Sequence, residues 1–294
     1  MSVDSLLVAV PNVSEGRDEG MIERVEKGFF PARLLDLHAD PDHGRSVFTL
    51  AASQRELSDG LVAGAARAIE AIDLNRHEGL HPFVGALDVM PVVYLDSARR
   101  GAACAEALTA AARIGFELDV PVFLYGELAT SADHRERAWL RQGGWRHLDR
   151  RMQSGELRPD FGPARAHPTA GTVLATARPP LAAFNVDLVS ADPELARAIA
   201  AEIRESGGGL PGVRAIGLFL DERGRAQVST NVHDPASTPL RRVVEAVRRR
   251  AEVAEAELVG LAPAAALEGF PEDVPLRGFS PERHLLENAL RSMD

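Results

Sequence analysis

Residues 77–81, His77-Glu78-Gly79-Leu80-His81, spell the H-E-x-x-H pattern in which two imidazoles bind a metal and a glutamate serves as general base. That chemistry needs a helix, because i, i+4 spacing brings both imidazoles to one ion and aims the glutamate at bound water. The surrounding residues oppose one. Gly79 costs about 1 kcal/mol in a helix interior, and Pro82 pushes His81 itself out of the helical region. Asn75 before and Gly85 after predict a loop between a helix and a strand. His81 then reads either as a loop imidazole hydrogen-bonded to backbone or as a general acid/base offered at a strand edge. The second reading draws on imidazole titrating near neutral pH. His77 reads as structural.

A second cluster spans residues 38–45, where His38, Asp40, Asp42, His43 and Arg45 surround the Pro41 turn. Blandly it is a solvated Asp-Pro-Asp turn. Functionally it could polarise a catalytic histidine and bind a substrate carboxylate through the planar fork of Arg45. The mixed ligand set specifies no metal. Residues 160–171, DFGPARAHPTAG, form a glycine-containing irregular stretch whose backbone could approach a ligand, or a plain linker. The glycines of 207–212 match G-x-G-x-x-G by letter only, since they follow a helix and precede a strand, the reverse of a dinucleotide site.

The elements that must position these residues follow from periodicity. Residues 5–13 predict a strand stopped by Pro11, and 16–30 a helix with acidic residues early and Lys27 late. Strands follow at 33–40 and 45–52, a helix at 56–72 and a strand at 88–95, so the order is βαββαβ. A helix at 97–118 and a strand at 120–127 come next. Residues 128–180 show no sustained strand pattern. The order then repeats: strand 180–190, a helix opened by Asp192-Pro193, two strands paired across residues 223–225, a helix and a closing strand. The predicted fold is α+β: two ferredoxin-like βαββαβ subdomains, residues 1–178 and 179–294, with a ligand cleft or tunnel between them.

Composition excludes several function classes. The 294 residues carry a formal charge of −10, which provides no global field for nucleic acid or anionic lipid. Lys27 is the sole lysine, so neither a P-loop nor a Schiff-base lysine is available. The single cysteine, Cys104, lies in an alanine-rich helical pattern and reads as a small hydrophobe. No basic leader precedes the first strand and no run reaches the length of a membrane span, which predicts a cytoplasmic protein.

PNVSEGRD, DPDHGRSVFT, HxGxHPxxGALDVMP, VPVFLYGE, PDFGP followed by HPTAG, AFNVDL, AQVSTN and LVGLAP occur in one order from about residue 6 to 292. In this the chain resembles the formiminotransferase family. The resemblance implies transfer of a formimino group from N-formimino-L-glutamate to tetrahydrofolate, the co-substrate, in histidine breakdown. It also implies a homodimer and no metal. The family's catalytic histidine falls on His81, and its folate loop on Gly162, Pro163, Ala164, Arg165, Ala166, His167, Pro168, Thr169, Ala170 and Gly171. The acidic partner of the bifunctional members aligns with His38, so its role passes to Asp40 or Asp42 or is absent. Members commonly read H-P-R where this chain has Phe83, and residues 172–176 are bulkier than the family's glycine-rich run. Arg45, Arg178 and Arg165 are candidates for the anionic groups of the substrates. A folate-binding protein without transferase activity and a transferase using formiminoglycine are the alternative expectations.

Overall fold

The computed structural model describes residues 6–293; Ser5, where the first predicted strand begins, lies outside them. The chain divides into two units, Met1–Pro179 and Pro180–Asp294. Each is a mixed α+β structure with its own sheet.

In the first unit Pro11 splits the opening strand into β1 (Leu7–Ala9) and β2 (Asn12–Val13). Helix α1 (Glu19–Gly28) starts where the Asp18 carboxylate accepts the Met21 N–H at 2.8 Å. Strands β3 (Arg33–Asp40) and β4 (Arg45–Ala52) form a hairpin, followed by α2 (Glu56–Ala71), β5 (Leu87–Val93), α3 (Arg100–Glu117) and β6 (Val122–Leu124). Short helices α4 (Arg137–Arg141) and α5 (Gly144–Gln153) precede β7 (Val173–Arg178). The sheet runs β3, β4, then β1 and β2 in one line, β5, β7, β6. Strands β5, β7 and β6 are parallel, and the other pairings are antiparallel.

Strand β7 corrects the sequence reading, which saw no strand between 128 and 180. The strand is buried on both faces apart from Arg178. A parallel strand of that kind shows no alternation and is easily taken for irregular apolar chain. Its Val173, Ala175 and Ala177 face the core under α1–α3. Leu174 faces the other way, with Val84, Val89, Phe123 and Tyr125, against Leu140 of α4 and Leu148 and Met152 of α5. By alternation Thr176 and Arg178 lie on that second face as well. So do Val47 and, by register with it, His38 and Asn12; Asp40 and its register partner Arg45 follow at two-residue spacing.

The second unit contains β8 (Ala182–Leu188), α6 (Pro193–Ile203), β9 (Val213–Leu220), β10 (Arg225–Val232), α7 (Leu240–Arg248) and β11 (Val253–Leu258). Two short helices, α8 (Pro281–His284) and α9 (Leu286–Arg291), follow. The four strands lie in the order β11, β8, β10, β9, all antiparallel. Asp192 caps α6 by accepting the Glu194 N–H at 2.9 Å, with Pro193 in the first turn. No helix among the described residues is long and apolar enough to cross a membrane.

Candidate active site

Residues 72–86 are not helical, so the zinc geometry that HEGLH would need is absent. The loop is instead stitched to the turn between β3 and β4. Leu80 and His81 donate backbone N–H bonds to the carbonyls of Asp42 (3.2 Å) and His43 (3.3 Å). Only glycine fits at 79, since a Cβ there would lie 2.5 Å from the His43 carbonyl oxygen. The two residue clusters that the sequence offered separately therefore form one site.

At its centre Arg45 Nη1 lies 2.8 Å from His81 Nε2. A guanidinium has no acceptor, so Arg45 donates, Nε2 accepts and the imidazole proton belongs on Nδ1. The His43 ring stacks beside His81 with centroids 6.0 Å apart. His81 is 8% exposed. Burial first, then the charges of Arg45, Arg141 and Arg137, hold its pKa well below the ordinary histidine value. The ring is neutral at pH 7. Burial pushes Arg45 itself down to about 10, with Arg141 and Arg137 adding to the effect.

Asp88 braces this arrangement. Asn12 pairs with Val89 and Val13 with Leu87, which leaves Asp88 as a bulge without a partner on β2 and re-aims its side chain. One Asp88 oxygen accepts the Val84 N–H at 2.7 Å, and the other pairs with Arg141 of α4. The pair is buried, at 2% and 7% side-chain exposure. Burial lowers Arg141 to about 10 although Asp88 opposes the shift.

The loop 162–171 is bonded through its backbone to the loop that carries His81. His167 and Gly171 exchange two backbone bonds of 2.9 Å, and the His167 Nδ1 accepts the Ala170 N–H at 3.1 Å. Ala86 donates to the Ala170 carbonyl and Thr172 to that of Val84, each at 2.9 Å. Gly85 makes this approach possible, since a Cβ there would lie 1.8 Å from the Thr172 oxygen. Ala170 is buried, while Ala164, Arg165 and Pro168 are exposed and Gly162, Pro163, Ala166, His167 and Thr169 are half-buried. Arg165 sits 3.6 Å from Asp119 at the surface.

The other expected residues fall as follows. Asp40 is buried and its carboxylate accepts the His43 N–H at 2.9 Å, so it shapes the turn that carries Arg45. His38 stands opposite Val47 on the same sheet face. Arg178 ends β7, donates to the Pro179 carbonyl at 2.9 Å and is pushed down to about 10 by burial. Phe83 packs edge-on against His77, with centroids 4.4 Å apart. The sequence reading missed Asp88, Arg137 and Arg141. The available signal was the pair of arginines four apart flanking Trp139-Leu140, which places two guanidiniums on the face of a short helix that also carries an apolar anchor.

With this geometry established, comparison with known proteins identifies relatives. Residues 6–178 match the model of the formiminotransferase domain, N-terminal subdomain, and residues 183–269 that of the formiminotransferase domain. The chain is 34% identical to a glutamate formimidoyltransferase of Streptococcus pyogenes serotype M1, over 97% of this chain and 98% of that protein. It is 35% identical to the glutamate formimidoyltransferase of Thermoplasma acidophilum, over 97% of each. It is 38% identical to the formimidoyltransferase-cyclodeaminase of Sus scrofa, over 90% of this chain and 51% of that longer protein. The chain belongs to the formiminotransferase family.

Proposed function

We propose that the protein is a glutamate formimidoyltransferase that moves the formimino group of N-formimino-L-glutamate to N5 of tetrahydrofolate, with His81 as general acid/base. The observation that carries this reading is the neutral, buried imidazole of His81 on a loop bonded directly to the 162–171 loop. The βαββαβ order of each unit, with the second sheet ordered fourth, first, third, second strand, supports the ferredoxin-like subdomains expected for such an enzyme.

The chemistry asks for one proton carrier. As the folate N5 attacks the amidine carbon it loses a proton, and as the carbon–nitrogen bond to glutamate breaks that nitrogen gains one. A neutral imidazole takes the first proton and returns it to the leaving nitrogen. In the structure Arg45 occupies the Nε2 lone pair. An incoming substrate carboxylate competes for the guanidinium and frees Nε2, so base and substrate recognition are coupled through Arg45. Asp40 acts on Arg45 electrostatically and holds the His43 turn, a positioning role. The partly exposed stretch 162–171, bonded to the loop that carries His81, is the segment proposed to bind the folate.

His81→Ala tests the reading. Turnover of N-formimino-L-glutamate with tetrahydrofolate is expected to fall about 10²- to 10⁴-fold, while calorimetric binding of tetrahydrofolate persists. Retained turnover in a folded variant sinks the proton-carrier role. Wild-type protein that binds tetrahydrofolate but transfers nothing from any formimino donor is instead a folate-binding protein.

A further inference from the structure

One strongly basic feature is not used by the chemistry above. Helix α4 carries Arg137, Leu140 and Arg141 at i, i+3 and i+4, which puts all three on one helix face. Two of them are anchored on the second face of the sheet: Leu140 is fully buried against Val84, Tyr125 and Leu174, and Arg141 pairs with Asp88. Arg137 must therefore overhang the same sheet face. It is half-buried, and among the described residues it has no hydrogen bond and no ion pair. Its charge nevertheless acts on four groups, His81, Arg45, Arg141 and Arg178, and disfavours the charged form of each.

The guanidiniums of Arg45 and Arg141 are buried in this region together with Arg137 of α4, and the Asp88 carboxylate is already bound to Arg141. An uncompensated cation beside two others is unfavourable unless an anion arrives to meet it. Arg178 offers the matching half, since its bond to the Pro179 carbonyl uses a single N–H of the fork. Arginine forks bind carboxylates with two parallel bonds, and the proposed donor carries two carboxylates.

We propose that Arg137 is a specificity-determining residue that binds one carboxylate of the formimino donor, opposite Arg178, and so selects a dicarboxylate donor over a monocarboxylate one. This rests on the transferase reading. It places donor recognition on α4, a helix outside the repeated βαββαβ core, so the choice of amino acid can vary without disturbing His81.

The test compares N-formimino-L-glutamate with N-formiminoglycine on wild type, Arg137→Gln and Arg137→Lys, with tetrahydrofolate saturating. In Arg137→Gln the wild-type preference for the glutamate donor, as a ratio of kcat/KM, is expected to collapse by about 10- to 100-fold, the worth of a hydrogen bond to a charged group. The loss should appear in KM for the glutamate donor rather than in kcat, and Arg137→Lys should recover part of it. An unchanged ratio, or an equal loss for both donors, overturns the inference. If wild type transfers from neither donor the transferase reading fails instead. Calorimetric titration with N-formimino-L-glutamate then still decides: weaker binding to Arg137→Gln supports the carboxylate site, and equal affinity overturns it.

Discussion

The two units each hold a cluster of charged side chains on their sheets, and the clusters are built on opposite principles. In the second unit Arg223, Arg225 and Arg277 meet Asp187, Glu255 and Glu257, three cations to three anions. Arg277 Nη2 lies 2.5 Å from Glu257, and Arg223 reaches both Asp187 and Glu257, at 3.7 and 3.6 Å. Burial alone would lower Arg277, but the hydrogen bond and charge of Glu257, with Asp187 and Glu255, outweigh it and its pKa is raised. In the first unit Arg45, Arg141 and Arg178 are all pushed down to about 10, by burial first and by the charges of neighbouring guanidiniums second. In the second unit paired carboxylates outweigh burial at Arg277; in the first unit burial prevails, and together with the neighbouring guanidiniums it keeps the His81 imidazole neutral.

Breaking the matched pair inside the first unit's cluster should have the largest effect on stability. Arg141→Leu leaves the Asp88 carboxylate buried without its cation, and the denaturant midpoint should drop by an amount corresponding to about 3–5 kcal/mol. A loss below 1 kcal/mol would mean that Asp88 is satisfied without Arg141. Next is the acid response. A histidine with a depressed folded pKa binds its proton in the unfolded chain first, so its stabilising effect is complete above about pH 6.5 and is lost as pH falls toward the folded value. His77, His134 and His167 are also lowered by burial and act in the same direction. Each contributes a slope of up to about 1.4 kcal/mol per pH unit. His81→Gln should therefore flatten the decline in stability below pH 6.5 relative to wild type; an identical decline would place the His81 pKa near its ordinary value. The smallest effect belongs to the balanced cluster. Arg277→Gln leaves Arg223 near both Asp187 and Glu257, so the loss should be about 1 kcal/mol or less and should shrink with salt. A loss as large as that of Arg141→Leu would erase the contrast between the units.

How much of this was legible in the sequence depended on range. Helix α1, with its acidic start and Lys27 near its end, and the hairpin strands β3 and β4 follow from local periodicity and turn residues. Pro82 and Gly79 likewise gave the non-helical loop that presents His81. Strand β7 escaped because burial on both faces erases the alternation by which strands are read. Arg45 was legible as a substrate-binding candidate, but its contact with His81 spans 36 positions and depends on the fit of Gly79 against the His43 turn. Asp88 gave no sign of its role, since only the bulge opposite β2 turns it toward α4. Arg137 and Arg141 lay in a polar stretch whose short helices are held by tertiary packing of Leu140 and Leu148 rather than by propensity.

The central claim is that Arg45 adds to burial in depressing the His81 pKa until substrate takes the guanidinium away. The pH dependence of kcat/KM for wild type and Arg45→Gln tests it most directly, since that ratio reports the essential base of the free enzyme. The acid limb of wild type should lie below about pH 6.5, the ordinary histidine value, and should move upward in Arg45→Gln as the cation is removed. A wild-type limb at or above that value, unmoved by Arg45→Gln, would contradict the account.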